Sequence, residues 1–313
     1  MIVTLTPNPV LDRTLSVPRI EFDDVLRASS TRLDWGGKGF NVSRALKALG
    51  RDSVAMAFAG GGTGQMLRQG LDALGITTDF VEIAGETRTN VVVVDQATGR
   101  HIKVNEAGPT ISAQEHDELL QRIRERVQPD DLWVLAGSLP PGLPIGFYAE
   151  VIDLLQASGA QAFLDTSGEP LRLGCVAQPA LVKPNVAEAE ELTGQVIDSP
   201  HDASRAAGHF LDQGVEMVAL SMGAQGLVLA SASQAVWARP PGVSVTNPTG
   251  AGDSLLAGIV WALQQGLPLA EVASWGVATG TASAMREGVS VGSRAAVEAL
   301  RLQVEVVDLR DEN

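Results

Sequence analysis

The feature that most constrains this fold is a regular alternation of short β-rich runs with longer segments of helical periodicity. Strand-like runs occur at seven places, namely Ile2–Thr6, Ser53–Ala59, Leu132–Ala136, Gln161–Asp165, Ala180–Lys183, Met217–Ser221 and Leu227–Ala230. The helical patterns between them are Asn41–Leu49, Gly64–Leu74, Ala113–Arg126, Ile145–Ala157, Val186–Leu192 and His201–Gln213. This alternation predicts an α/β fold with a mostly parallel sheet covered by helices on both faces.

Two segments interrupt the alternation, at about residues 11–35 and 87–104. Within them, Leu11–Leu33 and Thr87–Val104 are β-like and contain few helix-forming residues. We interpret them as the strands of a small lid projecting from the main sheet. A small sheet with one apolar face is marginally stable alone, so we expect a homodimer formed through this lid. At the other end, the polar tail Asp308–Asn313 is expected to fray.

Charge and composition exclude several classes of partner. A net charge of −14 disfavours nucleic acids and anionic membranes, and 45% apolar with 19% charged residues is typical of a soluble globular protein. The same net charge repels small anions, so any phosphate site must be locally basic. The chain has only four lysines to supply that charge: Lys38, Lys47, Lys103 and Lys183.

Cysteine and histidine usage excludes other chemistries. The single cysteine, Cys175, excludes an internal disulfide, and the four histidines lack the spacing of metal ligands. Met1 leads directly into an apolar strand without a basic signal region, and no apolar run is long enough to cross a bilayer. These observations predict a cytoplasmic protein.

The segment Thr249–Asp253 combines glycines with a carboxylate between a predicted strand, Pro241–Val245, and a predicted helix, Ser254–Leu263. Glycine backbone and a helix N-terminus together favour bound phosphate. Asp253 is predicted to be an exposed acid beside that phosphate, able to accept a proton from an attacking hydroxyl. The alternative is a tight turn in which Asp253 merely interacts with the helix dipole.

A second anion-friendly corner is Trp35–Asn41, where three glycines and Lys38 precede a helix. It lacks the spacing and the Ser/Thr of a Walker A loop. The structural alternative is a flexible turn capped by Asn41.

Lys183-Pro184-Asn185 lies at a strand end and is followed by Glu188. Asn185 and Glu188 have the spacing of a helix capping box. The same two side chains would also suit Mg²⁺ bound largely through water, and the sequence leaves both readings open.

Three further features are weaker signals. Ser221–Gly226 predicts a glycine hairpin turn that could also approach a nucleotide. Arg88, Arg27 and Lys103 are either solvated surface groups of the lid or ligands of a substrate phosphate. Gly288–Gly292 matches the G-x-S-x-G pattern of hydrolases, but no histidine follows Ser290, which argues against an esterase.

Taken in order, these motifs resemble the B-type phosphofructokinases of the ribokinase-like sugar kinase family over nearly the whole chain. The matching segments are Thr4–Pro9 with Asp12, Gly36–Gly39 with Asn41, Thr87–Asn90, Ala136–Pro140, Lys183–Asn185 with Glu188, and Asn247–Ser254. The resemblance implies one ribokinase-like domain over residues 1–313, a three-layer α/β/α sandwich with a small β-sheet lid. The chain differs from the family at Asn247-Pro248-Thr249, where many members carry Asp-Thr.

The resemblance also implies roles for individual residues. Asp253 would be the general base, and the backbone amides of Gly250, Ala251 and Gly252 would bind the moving phosphoryl group. The residues implied for the sugar and its phosphate are Asp12, Gly37, Lys38, Asn41, Arg88, Arg27, Lys103 and Ser138. Those implied for the nucleotide are Lys183, Asn185, Ser221, Gly223, Gly226, Gly250 and Gly252, with Glu188 and Asn185 holding Mg²⁺ through water.

The implied activity is ATP-dependent phosphorylation of a phosphorylated ketohexose. Residues His101–Pro109 favour fructose 1-phosphate, which would give fructose 1,6-bisphosphate. The alternatives are a fructose 6-phosphate or tagatose 6-phosphate kinase, or a non-catalytic sugar-phosphate sensor on the same fold. The presence of Asp253 argues against the sensor, which would not need that carboxylate.

Overall fold

A computed structural model of the chain describes residues 1–309. The strands are β1 (Ile2–Thr6), β2 (Val10–Val17), β3 (Ser30–Gly36), β4 (Val54–Ala59), β5 (Thr77–Glu82), β6 (Thr89–Asp95), β7 (His101–Val104), β8 (Leu132–Ala136), β9 (Gln161–Asp165), β10 (Leu181–Val182), β11 (Met217–Ser221), β12 (Leu227–Ser231), β13 (Ala235–Arg239) and β14 (Glu305–Asp308). The α-helices are α1 (Lys38–Ala48), α2 (Gly61–Ala73), α3 (Ala113–Arg126), α4 (Phe147–Ala157), α5 (Gly168–Val176), α6 (Val186–Thr193), α7 (Pro200–Asp212), α8 (Ala251–Gln264), α9 (Leu269–Ala284) and α10 (Arg294–Arg301).

Ten strands form one sheet in the order β14-β13-β12-β11-β10-β9-β8-β1-β4-β5. The pairs from β11 to β5 are parallel, and β12, β13 and β14 extend the sheet as antiparallel strands. The predicted mostly parallel sheet is therefore confirmed. Its parallel part is buried on both faces, which explains why those strands are nearly continuous apolar runs in the sequence.

Helices cover both faces of this sheet and make three layers. Because successive strand residues point to opposite faces, Val3 and Leu5 of β1 pack with α3, α4, α5, α6 and α7. Ile2 of the same strand packs with α1, α8, α9 and α10 on the other face. The three-layer α/β/α arrangement is thus confirmed, and it brings α1 and α8 together on one side of the sheet.

The smaller sheet has the order β3-β2-β6-β7 and comes from the two interrupting segments. β2 and β6 are parallel, whereas β3 and β7 flank them as antiparallel edge strands. Several large apolar side chains of this sheet and of its β2–β3 loop are exposed, including Phe22 (82%) and Val25 (75%) in the loop and Val104 (59%) in β7. The small sheet therefore leaves apolar surface uncovered in the single chain.

The sequence prediction was wrong at two element boundaries that matter for the site. The predicted strand Pro241–Val245 is absent, because Pro240 and Pro241 cannot donate to a strand ladder and the strand ends at Arg239. Helix α1 begins at Lys38 with Gly37 as its N-cap, so Asn41 lies inside the helix and does not cap it. The capping alternative for Asn41 is therefore excluded, and its side chain is available for another contact.

Local sequence patterns also did not predict β5, β13, β14, α5, α9 and α10. The tail prediction was wrong at Asp308, which pairs with Val236 in the sheet, while residues 310–313 lie outside the described residues. Within residues 1–309, no helix combines the length and the apolarity needed to span a bilayer.

Candidate active site

Neighbouring parallel strands bring polar residues to one edge of the large sheet. Asp165 ends β9, Lys183 follows β10, and Ser221 ends β11. Because these strands are adjacent and parallel, their carboxyl ends lie side by side, which is where open α/β sheets bind ligands. Contacts from Lys38 and Asn41 of α1 and from Asp253 of α8 complete a single cluster at this edge.

The amino end of α8 has the geometry of an anion site. Its N-cap, Gly250, has φ 79°, and a Cβ there would lie 2.9 Å from Val289 Cγ1, so the position requires glycine. The Ala251 amide donates to Pro248 O at 3.2 Å and is thus used inside the turn. Of the three amides expected to bind phosphate, only those of Gly250 and Gly252 remain without a partner within residues 1–309.

Asp253 is buried, with 8% of its surface exposed, so the prediction of an exposed carboxylate was wrong. α1 packs over the first turn of α8 and covers it. Asn41 Nδ2 donates to Asp253 Oδ2 at 2.8 Å. Burial, reinforced by the negative charge of Asp165, raises the pKa of Asp253 to about 6, although the Asn41 hydrogen bond and the charges of Lys38 and Lys183 oppose that rise.

Next to it lies a cluster in which Asp165 and Lys183 are buried and Lys38 is partly exposed. Lys38 Nζ donates to Asp165 Oδ1 at 2.7 Å, and Lys183 Nζ forms an ion pair with Oδ2 at 3.1 Å. Burial raises the pKa of Asp165, but the charges of Lys183 and Lys38 outweigh it and hold that pKa below its ordinary value. Two ammonium groups share one carboxylate here, and the ionised Asp253 beside them brings the total charge close to neutral. Both ammonium groups can still donate hydrogen bonds to a phosphate group.

Asp165 was not among the residues selected from the sequence. One signal could have found it, because an acid that directly ends a buried parallel strand lies at the ligand-binding edge. Its pairing with Lys38 spans 127 residues of chain and could not be read from local spacing.

On the small sheet, Asp12 and Asn90 face each other across β2 and β6. Asn90 Nδ2 donates to Asp12 Oδ1 at 2.9 Å. Gly36 lies beside them, and a Cβ there would meet Asp12 Oδ2 at 2.3 Å. Asp12 is thus oriented at the junction between the small sheet and the Gly37 corner of α1.

Arg88 and Ser138 lie around Asn8, which follows β1. Arg88 donates to the carbonyl oxygens of Asn8 and Glu106, at 3.1 and 3.0 Å, and Asn8 Nδ2 contacts Ser138 Oγ at 3.3 Å. Arg88 Nε and Asn8 Oδ1 are buried and have no hydrogen-bond partner. Unpaired buried polar atoms are costly, so these two are suited to binding a polar ligand.

Arg27 and Lys103 are exposed, Arg27 in the loop between β2 and β3 and Lys103 in β7. Lys103 pairs with Val92 through its backbone, but neither side chain forms a hydrogen bond or an ion pair with another residue in the described range 1–309. The structure therefore does not bring them to the cluster by any direct contact, and their assignment to a substrate phosphate stays a prediction.

The capping box predicted at α6 is present. Asn185 Oδ1 accepts from Glu188 N at 3.0 Å, and Glu188 Oε2 accepts from Asn185 N at 2.9 Å. Asn185 also forms a parallel bridge to Ser221. Both side chains stay partly exposed, so capping accounts for one oxygen of Glu188 and leaves the other available.

The predicted turn at Ser221–Gly226 is also present and joins the antiparallel strands β11 and β12. Gly226 has φ 95°, and a Cβ there would overlap Ala238 O at 2.0 Å, so this glycine has a structural requirement of its own. Gly223 has φ 56°, and a Cβ there would meet no atom within 4 Å. Backbone at Gly223 is thus open to an approaching ligand, and contact with a nucleotide remains a prediction.

The G-x-S-x-G match lies in the loop between α9 and α10, not between a strand and a helix. Ser290 Oγ accepts from Gly292 N at 3.2 Å within the loop. The strand–turn–helix context of a hydrolase nucleophile is absent from this described segment, which agrees with the sequence argument against an esterase.

Comparison with known proteins gives consistent matches. Residues 7–296 match the model of the pfkB family carbohydrate kinases. The chain is 35% identical over 309 residues to the 1-phosphofructokinase of Bacillus subtilis, covering 99% of this chain and 100% of that protein. It is 32% identical over 262 residues to the tagatose-6-phosphate kinase of Staphylococcus epidermidis, covering 83% and 84% of the two chains. The crystal structure of phosphofructokinase-2 from Escherichia coli in complex with potassium superposes with a TM-score of 0.91 at 30% identity, covering 96% and 98%.

Proposed function

Because the chain belongs to the pfkB family of carbohydrate kinases, we propose that it transfers the γ-phosphoryl group of ATP to fructose 1-phosphate in the cytoplasm. The product would be fructose 1,6-bisphosphate. The observation that carries the proposal is the buried carboxylate of Asp253, held by Asn41 at the amino end of α8 beside Lys38 and Lys183. Full-length similarity to a 1-phosphofructokinase supports the choice of sugar.

In the proposed reaction, the 6-hydroxyl oxygen of the sugar attacks the γ-phosphorus, the bond to the β–γ bridging oxygen breaks, and ADP leaves. The hydroxyl proton passes to the Asp253 carboxylate. A pKa of about 6 leaves Asp253 ionised at neutral pH yet more basic than an ordinary aspartate. A general base is most effective when its pKa lies near the working pH.

Positive groups would stabilise the transferring phosphoryl group. The unpaired amides of Gly250 and Gly252 lie at the positive end of the α8 dipole and would donate to its oxygens. Lys38 and Lys183, which share Asp165 as a partner, would donate hydrogen bonds to the phosphoryl oxygens. The family resemblance implied that Lys38 binds the phosphate already on the sugar, but its contact with Asp165 favours the transferring group.

The sugar would lie between the small sheet and α1. Asp12, oriented by Asn90, would accept hydrogen bonds from sugar hydroxyls together with Asn41 and the backbone at Gly37. The phosphate already on the sugar would contact Arg88 and Ser138, where buried polar atoms lack partners. The exposed Arg27 and Lys103 would add charge from the small sheet.

On the nucleotide side, Ser221, Gly226 and the open backbone at Gly223 would lie along the nucleotide, and Lys183 would contact its phosphates. Within residues 1–309 no group of three or more acidic, His or Cys side chains could hold a metal. That arrangement fits Mg²⁺, which is commonly held by one or two protein oxygens, water and substrate phosphates. Glu188 and Asn185 would hold it through water, and bound Mg²⁺ would neutralise charge on the phosphate oxygens.

A substrate panel tests the proposed activity. We expect ADP release with the highest kcat/KM for fructose 1-phosphate among fructose, fructose 1-phosphate, fructose 6-phosphate and tagatose 6-phosphate. A higher kcat/KM for either 6-phosphate would favour the alternative kinases, one of which is a relative at 32% identity. Sugar-phosphate binding without ADP release from any of the four would support the sensor.

Replacing Arg88 by alanine should weaken binding of the sugar phosphate selectively. Loss of charge-assisted hydrogen bonds should raise KM for fructose 1-phosphate roughly tenfold to a hundredfold, with KM for ATP nearly unchanged. Steady-state kinetics with each substrate varied in turn measures both values. Arg100→Ala, at an exposed arginine in the turn between β6 and β7, serves as the matched control. Equal increases in both KM values would contradict the assignment.

The exposed apolar side chains of the small sheet support a homodimer formed through it. Val104→Glu, at an edge strand, should lower the sedimenting mass from twice the chain mass towards the monomer, because a buried charge opposes association. Val176→Glu is the matched control, since Val176 is 64% exposed and ends α5, which packs on the large sheet away from the small one. Dissociation by Val176→Glu alone would place the interface elsewhere.

A further inference from the structure

Arg44 makes two contacts that link the small sheet to the proposed base. It lies one turn after Asn41 in α1. Its Nη2 donates to the carbonyl oxygen of Trp35 at 2.6 Å, and its Nη1 donates to Asn41 Oδ1 at 3.3 Å. Asn41 Nδ2 in turn donates to Asp253 Oδ2 at 2.8 Å. A continuous chain of hydrogen bonds thus runs from β3 to α8.

The surroundings of Arg44 differ from those of a surface arginine. Burial lowers its pKa to about 10, against the opposing charges of Asp34 and Asp12. It forms no ion pair with a carboxylate in the described residues, and its Nε is buried without a hydrogen-bond partner. Burying a guanidinium without an ion pair is unfavourable, so Arg44 is not placed here for stability alone.

The two contacts fix which way the Asn41 amide points. Its oxygen faces the cationic guanidinium and its NH₂ faces the carboxylate of Asp253. The flipped amide would place NH₂ against a cation and oxygen against an anion. Both contacts would then be repulsive, so Arg44 selects the orientation in which Asn41 donates to Asp253.

We propose that Arg44 is a positioning residue that orients Asn41 and thereby holds the Asp253 carboxylate in place for catalysis. The inference rests on the proposed function, in which Asp253 is the base. It assigns Arg44 no contact with substrate. Because the Trp35 carbonyl belongs to β3, the same link ties the placement of the small sheet to that of the base.

Charged groups around Asp253 and around Arg44 also affect the pH dependence of the enzyme. Asp253 is faced by Asp165 of β9, by Lys38 of α1 and by Lys183 after β10. Arg44 is faced by Asp34 and Asp12 of the small sheet. Substituting Arg44 leaves the first three unchanged. A shift in the titration of Asp253 would then report the loss of the Asn41 hydrogen bond.

The test is the pH profile of kcat/KM for the Arg44→Ala enzyme. Without Arg44 the Asn41 amide is no longer held, so the ionised carboxylate loses a donor. The acidic limb should then move to higher pH by roughly 0.5 to 1 unit. At neutral pH, kcat should fall roughly tenfold to a hundredfold, more than either KM changes.

Lys47→Ala is the matched control. The substitution removes a cation from the same helix. Lys47 pairs with the exposed Asp52 and does not contact Asn41. Arg44 and Lys47 both line a cavity of about 580 Å³ bounded by Trp35 and the 287–291 loop. The Lys47→Ala enzyme should keep the wild-type kcat and the wild-type acidic limb of the pH profile.

That cavity also allows chemical rescue. Guanidinium chloride, at concentrations far below those that denature proteins, should restore part of kcat to Arg44→Ala and should not activate Lys47→Ala. In an Asn41→Ala background, Arg44→Ala should cause little further loss of kcat, because residues that act through one another are non-additive. Should Arg44→Ala not fold, Arg44→Lys provides the same readout, since one ammonium cannot reproduce the two-pronged contact.

The inference is overturned if folded Arg44 variants keep the wild-type acidic limb, or if the losses from Arg44→Ala and Asn41→Ala multiply independently. Failure of the proposed function gives a different result. In that case Asp253→Asn stays active and the wild-type enzyme shows no limb near the pKa of about 6. If Asp253→Asn is inactive but Arg44→Ala keeps the wild-type acidic limb, only the role of Arg44 is rejected.

Discussion

Asp253→Asn is expected to lower turnover by roughly a hundred- to ten-thousand-fold while ATP and sugar phosphate still bind. Asparagine has the same shape and can still accept the Asn41 hydrogen bond, but it cannot take the hydroxyl proton. Single-turnover kinetics and equilibrium binding separate the two effects. Near-normal turnover would remove Asp253 as the base.

The same substitution should raise the thermal midpoint at neutral pH. The folded pKa of about 6 lies above the ordinary aspartate value of 3.8, so the folded state binds the proton more tightly than the unfolded chain does. The ionised carboxylate therefore opposes folding above pH 6, and asparagine removes that opposition. A gain in stability with a loss of turnover is the trade-off expected of a catalytic group.

Asp131→Asn is the matched control for a buried aspartate. Asp131 is 3% exposed and pairs with the amino terminus ahead of β8, away from the carboxyl ends of the strands. It should lose stability and keep its turnover. Loss of turnover in Asp131→Asn would mean that any buried aspartate is needed for activity, and the argument for Asp253 would fail.

The second large effect is expected from Asp165→Ala, which should lower the free energy of unfolding by roughly 3 to 5 kcal/mol. Removing this carboxylate leaves Lys38 and Lys183 without their shared partner, and the Lys183 side chain is only 5% exposed. The depressed pKa of Asp165 means that its stabilising effect is present at neutral pH and is lost only as the pH falls through that lowered pKa. Urea unfolding at neutral pH measures the difference.

Asp52→Ala provides the control for an exposed ion pair. Asp52 contacts Lys47 at 2.7 Å with its side chain 86% exposed, so its removal should cost less than about 1 kcal/mol. If Asp165→Ala were no less stable than Asp52→Ala, the buried cluster would not be a stabilising ion network. Its part in holding phosphate would then need another explanation.

Local sequence patterns were enough to predict most of the large sheet. Apolar runs at β1, β8 and β9 and the helical periods of α3 and α7 are local signals, and the structure agrees with them. The glycine corner at the start of α8, with Asp253 in its first turn, and the capping box of α6 are also local. Each depends on neighbouring residues and backbone preferences alone.

What local patterns missed involves contacts between distant parts of the chain. The burial of Asp253 depends on α1, whose Asn41 is 212 residues away in sequence. Asp165 becomes part of the site only because β9 lies beside β10 and beneath Lys38. Arg44 has an ordinary helical position, and its importance follows from where the Trp35 carbonyl and Asn41 lie around it.

The sequence by itself determined the alternation of strands and helices through most of the large sheet, the glycine corners and the presence of an acid at the start of α8. Only the tertiary structure decided that this acid is buried, which lysines share Asp165, and which arginine orients Asn41. The reason is physical: hydrogen-bond periodicity is set by adjacent residues, whereas solvation and pKa depend on every charge and surface that packing brings within a few ångströms.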